Sequence, residues 1–360
     1  LVFSPVTIEA SGITGTLDEG LQLDSLYIEL PVAEIRAEKI MLSWSPASLL
    51  SGVVDIGKAQ IAELGIDILQ TESSGDPVDD LLFWLQIPLD IQIESGHLDK
   101  LRIDKAEIGN LNLAGSIGHG RLDVESLGAQ SAGFELYANG KLVGPAPGRL
   151  QLTASWEMPA KKLKGNGKFN GDIEKLDFTH VINVPEQLDF TGTIHDLFSG
   201  PTLTGVAVWS SVRLPGETPL YSNNGKLNIN SDFLSVHLQG GSVMLLNDWP
   251  QAPLQISALV DFQGVNIDSF AIDTLDGQVT GTGRIDYTDG LQGQLLLTGS
   301  EIDTGLINSE LPGRLGFDAT LLLESADTFA INVTSAKAKI AGKAFDGAGR
   351  VKWRETRLNA

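Results

Sequence analysis

Along most of the chain, apolar residues fall on every second position. In LQISALVDF, Leu254, Ile256, Ala258, Val260 and Phe262 share one parity, while Gln255, Ser257, Leu259 and Asp261 share the other. LGFDATLLLE places Leu315, Phe317, Ala319, Leu321 and Leu323 together, and FAINV adds Phe329, Ile331 and Val333. LQLTASW gives Leu150, Leu152, Ala154 and Trp156; IPLDIQIE gives Ile87, Leu89, Ile91 and Ile93. Side chains alternate between the two faces of a strand, so this period predicts strands with one apolar and one polar face. Fully buried parallel strands would read as unbroken apolar runs. The expected class is all-β. Two accounts of the alternation remain open: a closed sandwich or barrel core, and a long curved sheet whose apolar face is left open. At about 12 residues per strand and turn, the chain holds roughly 30 strands.

Helical signals are confined to two places. WSPASLLSG has Ser45 as N-cap, Pro46 at the first helical position and Gly52 after the last, predicting a short helix over 46–51. GDPVDDLLFWLQ has Asp76 as N-cap and acids in its first turn, predicting a second near 77–85. Repetition is present but degenerate. GTGRIDY at 281–287 returns as GAGRVKW at 347–353, with looser relatives GNGKFNG at 165 and AGSIGHG at 114. Such self-similarity predicts stacked supersecondary units. No Pro/Gly/Ser linker divides the chain, and the softest point is QTESSGDP at 70–77.

Composition narrows the chemistry. The net charge of −21 over 360 residues opposes nucleic-acid binding, which needs cations to displace counterions. The local exception, KKLKGNGK with Lys161, Lys162, Lys164 and Lys168, reads as a solvated turn or face. Aromatics are only 6%, so packing is aliphatic. Without cysteine there are no disulfides or thiol chemistry, and the compartment stays open. The opening LVFSPVTIEASG has no signal-peptide pattern, and LLFWL at 81–85 is the longest apolar run, far short of the ~20 residues of a spanning helix.

Catalytic patterns are missing. His97, His119, His180, His195 and His237 include no pair at helical metal-site spacing, and His237 shares parity with Ser235 and Gln239 on a polar face. Asp79 and Asp80 fit a helix start. DTLDG at 273–277 lacks the later ligands of a calcium loop, and the NVT sequon at 332–334 falls inside a strand. GNGKFNG has no helix behind it to hold a phosphate. No catalytic, metal or cofactor-binding residue is assigned; neither enzyme activity nor a cofactor is expected.

Several pieces of the sequence resemble the TamB family of AsmA-like proteins. They are ITGTLDEGLQLDSLYIEL, IRAEKIMLSWSPASLLSG, IDILQ and IPLDIQIESGHLDKLRI, in family order, with the Trp44-Ser45-Pro46 segment the most specific. TLDGQVTGTGRIDYTDGLQGQLLLTG at 274–299 reads like a body repeat of the family. The resemblance implies an elongated sheet rolled into a trough, with residues 1–75 as an N-terminal β module carrying helix 46–51. Residues 76–360 would continue the groove after the helix near 77–85. It further implies a periplasmic location, phospholipids in the groove, and a TamA-like outer-membrane partner of the Omp85 class. The inner-membrane anchor and the partner-docking C-terminal domain are expected outside this chain. The parity sets named above would line the groove. A scaffold for outer-membrane protein assembly is the competing expectation; a carbohydrate-active solenoid ranks below both, since the six tryptophans are scattered.

Overall fold

The computed structural model describes residues 7–16, 20–29, 33–68, 90–103, 106–131, 133–144, 148–183, 187–197, 200–214, 220–246, 250–288, 290–325 and 328–354. Contacts divide the chain into two units, residues 1–183 with 193–201, and residues 184–192 with 202–360. Both are built from strands. No helix among the described residues is long and apolar enough to cross a membrane.

The first unit holds β1 (Thr7–Ser11), β2 (Thr14–Thr16), β3 (Gly20–Glu29), β4 (Ala33–Ser45), β5 (Val53–Ile68) and β6 (Asp90–Ile103). It continues through β7 (Ala106–Gly118), β8 (Arg121–Ser131), β9 (Phe134–Val143), β10 (Arg149–Met158), β11 (Leu163–Asp172) and β12 (Lys175–Asn183). β1 and β2 pair along one edge of β3, and from there each strand pairs with the next. All these pairs are antiparallel except β5 with β6, which run parallel. Antiparallel neighbours need only a tight turn, whereas a parallel pair needs a long connection. That connection, residues 69–89, lies outside the described residues, as do the soft point at 70–77 and the helix expected near 77–85.

β13 (Gln187–His195) begins in the second unit and ends in the first. The second unit then runs through β14 (Thr202–Leu214), β15 (Leu220–Ser231), β16 (Ser235–Leu246), β17 (Ala252–Asp261) and β18 (Gly264–Thr274). It ends with β19 (Gly277–Asp286), β20 (Gln292–Asp303), β21 (Gly313–Ser325), β22 (Thr328–Ile340) and β23 (Lys343–Arg354). From β14 onward each strand pairs antiparallel with its successor. Most strands are 10–13 residues long, which is why 23 are described rather than about 30.

The short helix expected over 46–51 is not an α-helix. Pro46–Ser51 form a 3-10 turn, and the Ser45 side chain makes no cap; its carbonyl instead accepts from Ser48 Oγ at 2.6 Å. Gly52 does sit in the left-handed region at φ 79°, its N–H donating to Leu49 O at 3.0 Å. Proline and glycine thus mark a start and a stop, but six residues between two strands leave no apolar stripe to bury: Leu50 is 94% exposed.

Within each unit the sheet is a single layer. Among the described residues, no strand contacts another extensively unless the two are sheet neighbours or share an edge of the same neighbour. Among the described residues, eleven hydrophobic ones are buried, and no large side chain is completely enclosed. A sandwich core would bury two inner faces against each other. Of the two accounts of the alternation, the described residues fit the open curved sheet. Its bending has a local cause: the register slips by one residue between β6 and β7, β7 and β8, β8 and β9, β15 and β16, β17 and β18, β20 and β21, and β21 and β22. Each extra residue kinks its strand and strengthens the local twist.

Candidate functional site

Cross-strand registers assemble the alternating apolar residues into rows perpendicular to the strands. In the first unit, one row runs Val54, Ile91, Ile117, Leu122, Leu142, Leu150, Gly171, Leu176 from β5 to β12. The adjoining row runs Ile56, Ile93, Gly115, Val124, Gly140, Leu152, Phe169, Phe178, the last two rings stacked at 5.8 Å. Buried Ile173, in the turn between β11 and β12, packs on Ile117, Leu122 and Leu142 of the first row.

The second unit repeats the arrangement. One row crosses ten strands: Gly205, Ile229, Leu238, Ala258, Ile267, Gly283, Leu295, Leu321, Ile331, Val351. Its neighbours carry Gly240, Ile256, Phe270, Gly281, Leu297, Ala319, Val333 on one side and Val236, Val260, Val265, Ile285, Gly293, Leu323, Phe329 on the other. Every position is aliphatic, aromatic or glycine. The two faces differ in enclosure: on β20, Leu295 and Leu297 are half-buried, whereas Leu296 on the opposite face is 52% exposed.

The bulges keep these rows in phase. Val265 and Ile267 have odd numbers, yet Phe270 and Ile272 occupy the same face, because Ser257 pairs with Ser269 and Ala258 with Ile267. One residue of β18 is left over, and parity inverts there. β22 does the same between Val333 and Ala336.

Glycines within the rows make room for rings. Trp156 lies opposite Gly165, and a Cβ there would come within 2.6 Å of the indole nitrogen. Trp209 lies opposite Gly225, where a Cβ would fall 1.8 Å from the ring. The Trp209 Nε1–H donates to Ser222 O and Oγ, both at 3.0 Å. An aromatic ring laid over a cross-strand glycine restores the packing the glycine lacks.

Among the residues singled out from parity, Ile87 and Leu89 lie outside the described residues. Ile91, Ile93, Leu150 and Leu152 stand in the first unit's two rows, and Ala154 and Trp156 continue the same face of β10. Leu254, Ile256, Ala258 and Val260 share one face of β17. Leu321, Leu323, Phe329, Ile331 and Val333 join the rows of the second unit, with Phe317 one step beyond, opposite Gly299 and Ala336, and Leu315 the next, opposite Ile302 and Ala338. Phe262 is different: it sits in the turn after β17 and is 75% exposed. The alternation continues through the turn in the sequence, although the strand ends at Asp261.

A histidine missed by the sequence reading lies on this face. His180 of β12 faces Gly167 of β11, next to Trp156 over Gly165. The Trp156 Nε1–H donates to His180 Nε2 at 3.1 Å, the two rings lie nearly parallel at 6.2 Å, and Phe134 stacks on the other side of the indole at 5.9 Å. Burial lowers the His180 pKa below its ordinary value. The only available signal was the pair of alternate glycines in GNGK, spaced to place both notches on one face. By contrast His97, between Asn112 and Asp99 at 2.9 Å each, and His119, 2.8 Å from Asp90, belong to polar surfaces. His237 faces Asp268 at 3.8 Å on the polar side. Asn332 of the sequon is in β22, also on the polar side.

In each unit a single layer with apolar rows on one face and a polar back defines a groove-type β protein. The chain belongs to the TamB family: the family model described as TamB, N-terminal domain, matches residues 76–352. The match begins after most of the pieces that first suggested the family, and takes in the body repeats instead. No curated protein and no solved structure matches the chain.

Proposed function

We propose that the apolar faces receive the acyl chains of phospholipids and that the protein conducts lipids between the inner and outer membranes from a periplasmic position. The observation that carries this reading is the set of rows described above, ten strands wide in the second unit, with no second layer of the described residues against them. Hydrocarbon is the chemistry such a wall suits. Two acyl chains hold about 30 methylenes, and at about 0.8 kcal/mol each their exposure costs on the order of 24 kcal/mol. A wall of Ile, Leu and Val removes most of that cost without directional bonds, so neighbouring positions hold a chain equally well and it can slide. The polar back and the net charge of −21 keep the outer surface wetted. Enzyme activity and cofactors have no place in this reading. A TamA-like outer-membrane partner and an inner-membrane anchor complete it.

The second reading is a scaffold for outer-membrane proteins. It is favoured by β23, which pairs with β22 along one edge and with no other strand among the described residues along the other. Such an edge can add a client strand by backbone hydrogen bonding.

Native mass spectrometry of the purified chain, with organic extraction of whatever accompanies it, separates the two. We expect several phospholipids per chain, lost in Val260→Asp and Leu321→Asp variants that keep their β circular dichroism. A protein that arrives empty and refuses lipid, while capturing unfolded outer-membrane strands at β23, would establish the scaffold instead.

A further inference from the structure

We propose that His180 is a hydrogen-bond donor to the ester carbonyl oxygen of an acyl lipid lying on the first unit's apolar face. The inference rests on the lipid reading above and adds one polar contact to an otherwise apolar wall. Its starting point is the indole of Trp156, which can only donate. Since the Trp156 Nε1–H points at His180 Nε2 over 3.1 Å, Nε2 must accept, and the ring proton sits on Nδ1. The imidazole is thereby held neutral, in one tautomer, with its plane fixed by stacking on the indole.

Among the described residues Nδ1–H has no partner: the bond to Trp156 and the ring contact are the interactions His180 makes with them. The His180 side chain is only half-buried, and Nδ1 is not among the enclosed unpaired atoms of the described residues, which leaves the donor open to a ligand. It stands over Gly167, where any Cβ would come within 2.6 Å of Nδ1. Its own row runs Leu127, Ala138, Ala154, Gly167, and the flanking rows carry Leu136, Trp156, Ile182 on one side and Leu152, Phe169, Phe178 on the other, without a cation. A phosphate drawn onto this surface would lose water and gain no counter-charge, which is costly. A neutral ester carbonyl loses little and pairs with the one donor present. The site therefore suits the glycerol-ester region of a lipid whose chains run along the rows.

Methyl laurate and tridecane separate the proposal from the reading beneath it, since they differ mainly in the ester. With the whole chain labelled with 15N in its histidines, methyl laurate is expected to shift the His180 Nδ1 resonance, and tridecane to leave it in place. Wild type is expected to bind methyl laurate about fivefold more tightly than His180→Phe, which keeps a ring over Gly167 but has no donor. Tridecane is expected to bind both alike. Equal binding of the ester to both proteins, or an unmoved Nδ1 resonance in the ester-loaded wild type, would overturn the His180 proposal while leaving the hydrocarbon wall intact. Failure of wild type to bind either ligand would overturn both. The resonance needs no variant, so poor folding of His180→Phe would not rescue the idea.

Discussion

At the scale of single residues, the glycines opposite rings decide more than their size suggests. A Cβ at Gly225 falls 1.8 to 2.5 Å from atoms of the Trp209 ring, too close for either to stay. Gly225→Ala should swing the indole off its bonds to Ser222 and cost about 1–3 kcal/mol, as overpacking does. Urea unfolding followed by fluorescence would measure the loss, and the near-ultraviolet dichroism should change with it. His180 makes a second prediction, through pH. Its folded pKa lies below its unfolded value because burial disfavours the imidazolium. The unfolded chain therefore binds the proton first, and the contribution to stability is complete above pH ~6.5 and lost as pH falls through the folded pKa. Melting temperatures between pH 8 and 5 should fall more steeply for wild type than for His180→Phe. Neither feature was visible in the alternation, because a periodic pattern reports which face a residue joins and nothing about what lies across from it.

At the scale of strands, the bulges set what the chain tolerates. β18 carries one residue more than β17 and β19 between Ile267 and Phe270. Deleting Asp268 should straighten that strand yet leave Val265, Ile267, Phe270 and Ile272 on the apolar face. Deleting Ser257 from β17, which has no residue to spare, must turn either Leu254 and Ile256 or Ala258 and Val260 outward. Size-exclusion and thermal melts should show a folded first variant and a collapsed second unit in the other. The same reasoning separates what was legible from what was not. Leu254 to Val260, Leu321 to Leu323 and Phe329 to Val333 could be assigned a face because none of these strand pieces carries an extra residue of its own. Phe262 was drawn in because alternation does not announce where a strand stops. The Pro46–Gly52 segment displayed its boundaries but not its pitch, since caps are shared by α and 3-10 turns. The parallel pairing of β5 with β6 leaves no trace in a period of two.

At the scale of the whole chain, the all-β class and the one-sided strands follow from composition and period together: aliphatic residues on one parity, 46 acids set mostly on the other or in turns. The lipid experiments with Val260→Asp and Leu321→Asp belong here, since a charge in one row should obstruct passage along all of it. A further consequence comes from the single layer. Because the extensive contacts of each strand are confined to its own stretch of sheet, cooperativity passes only from neighbour to neighbour, as in a linear array. Folding can then advance hairpin by hairpin as the chain emerges, with short loop closures and no distant surfaces to match. Damage should spread by the same rule, so that a lesion in β21 loosens β20 and β22 first. Hydrogen exchange would register it as a gradient that fades with strand number.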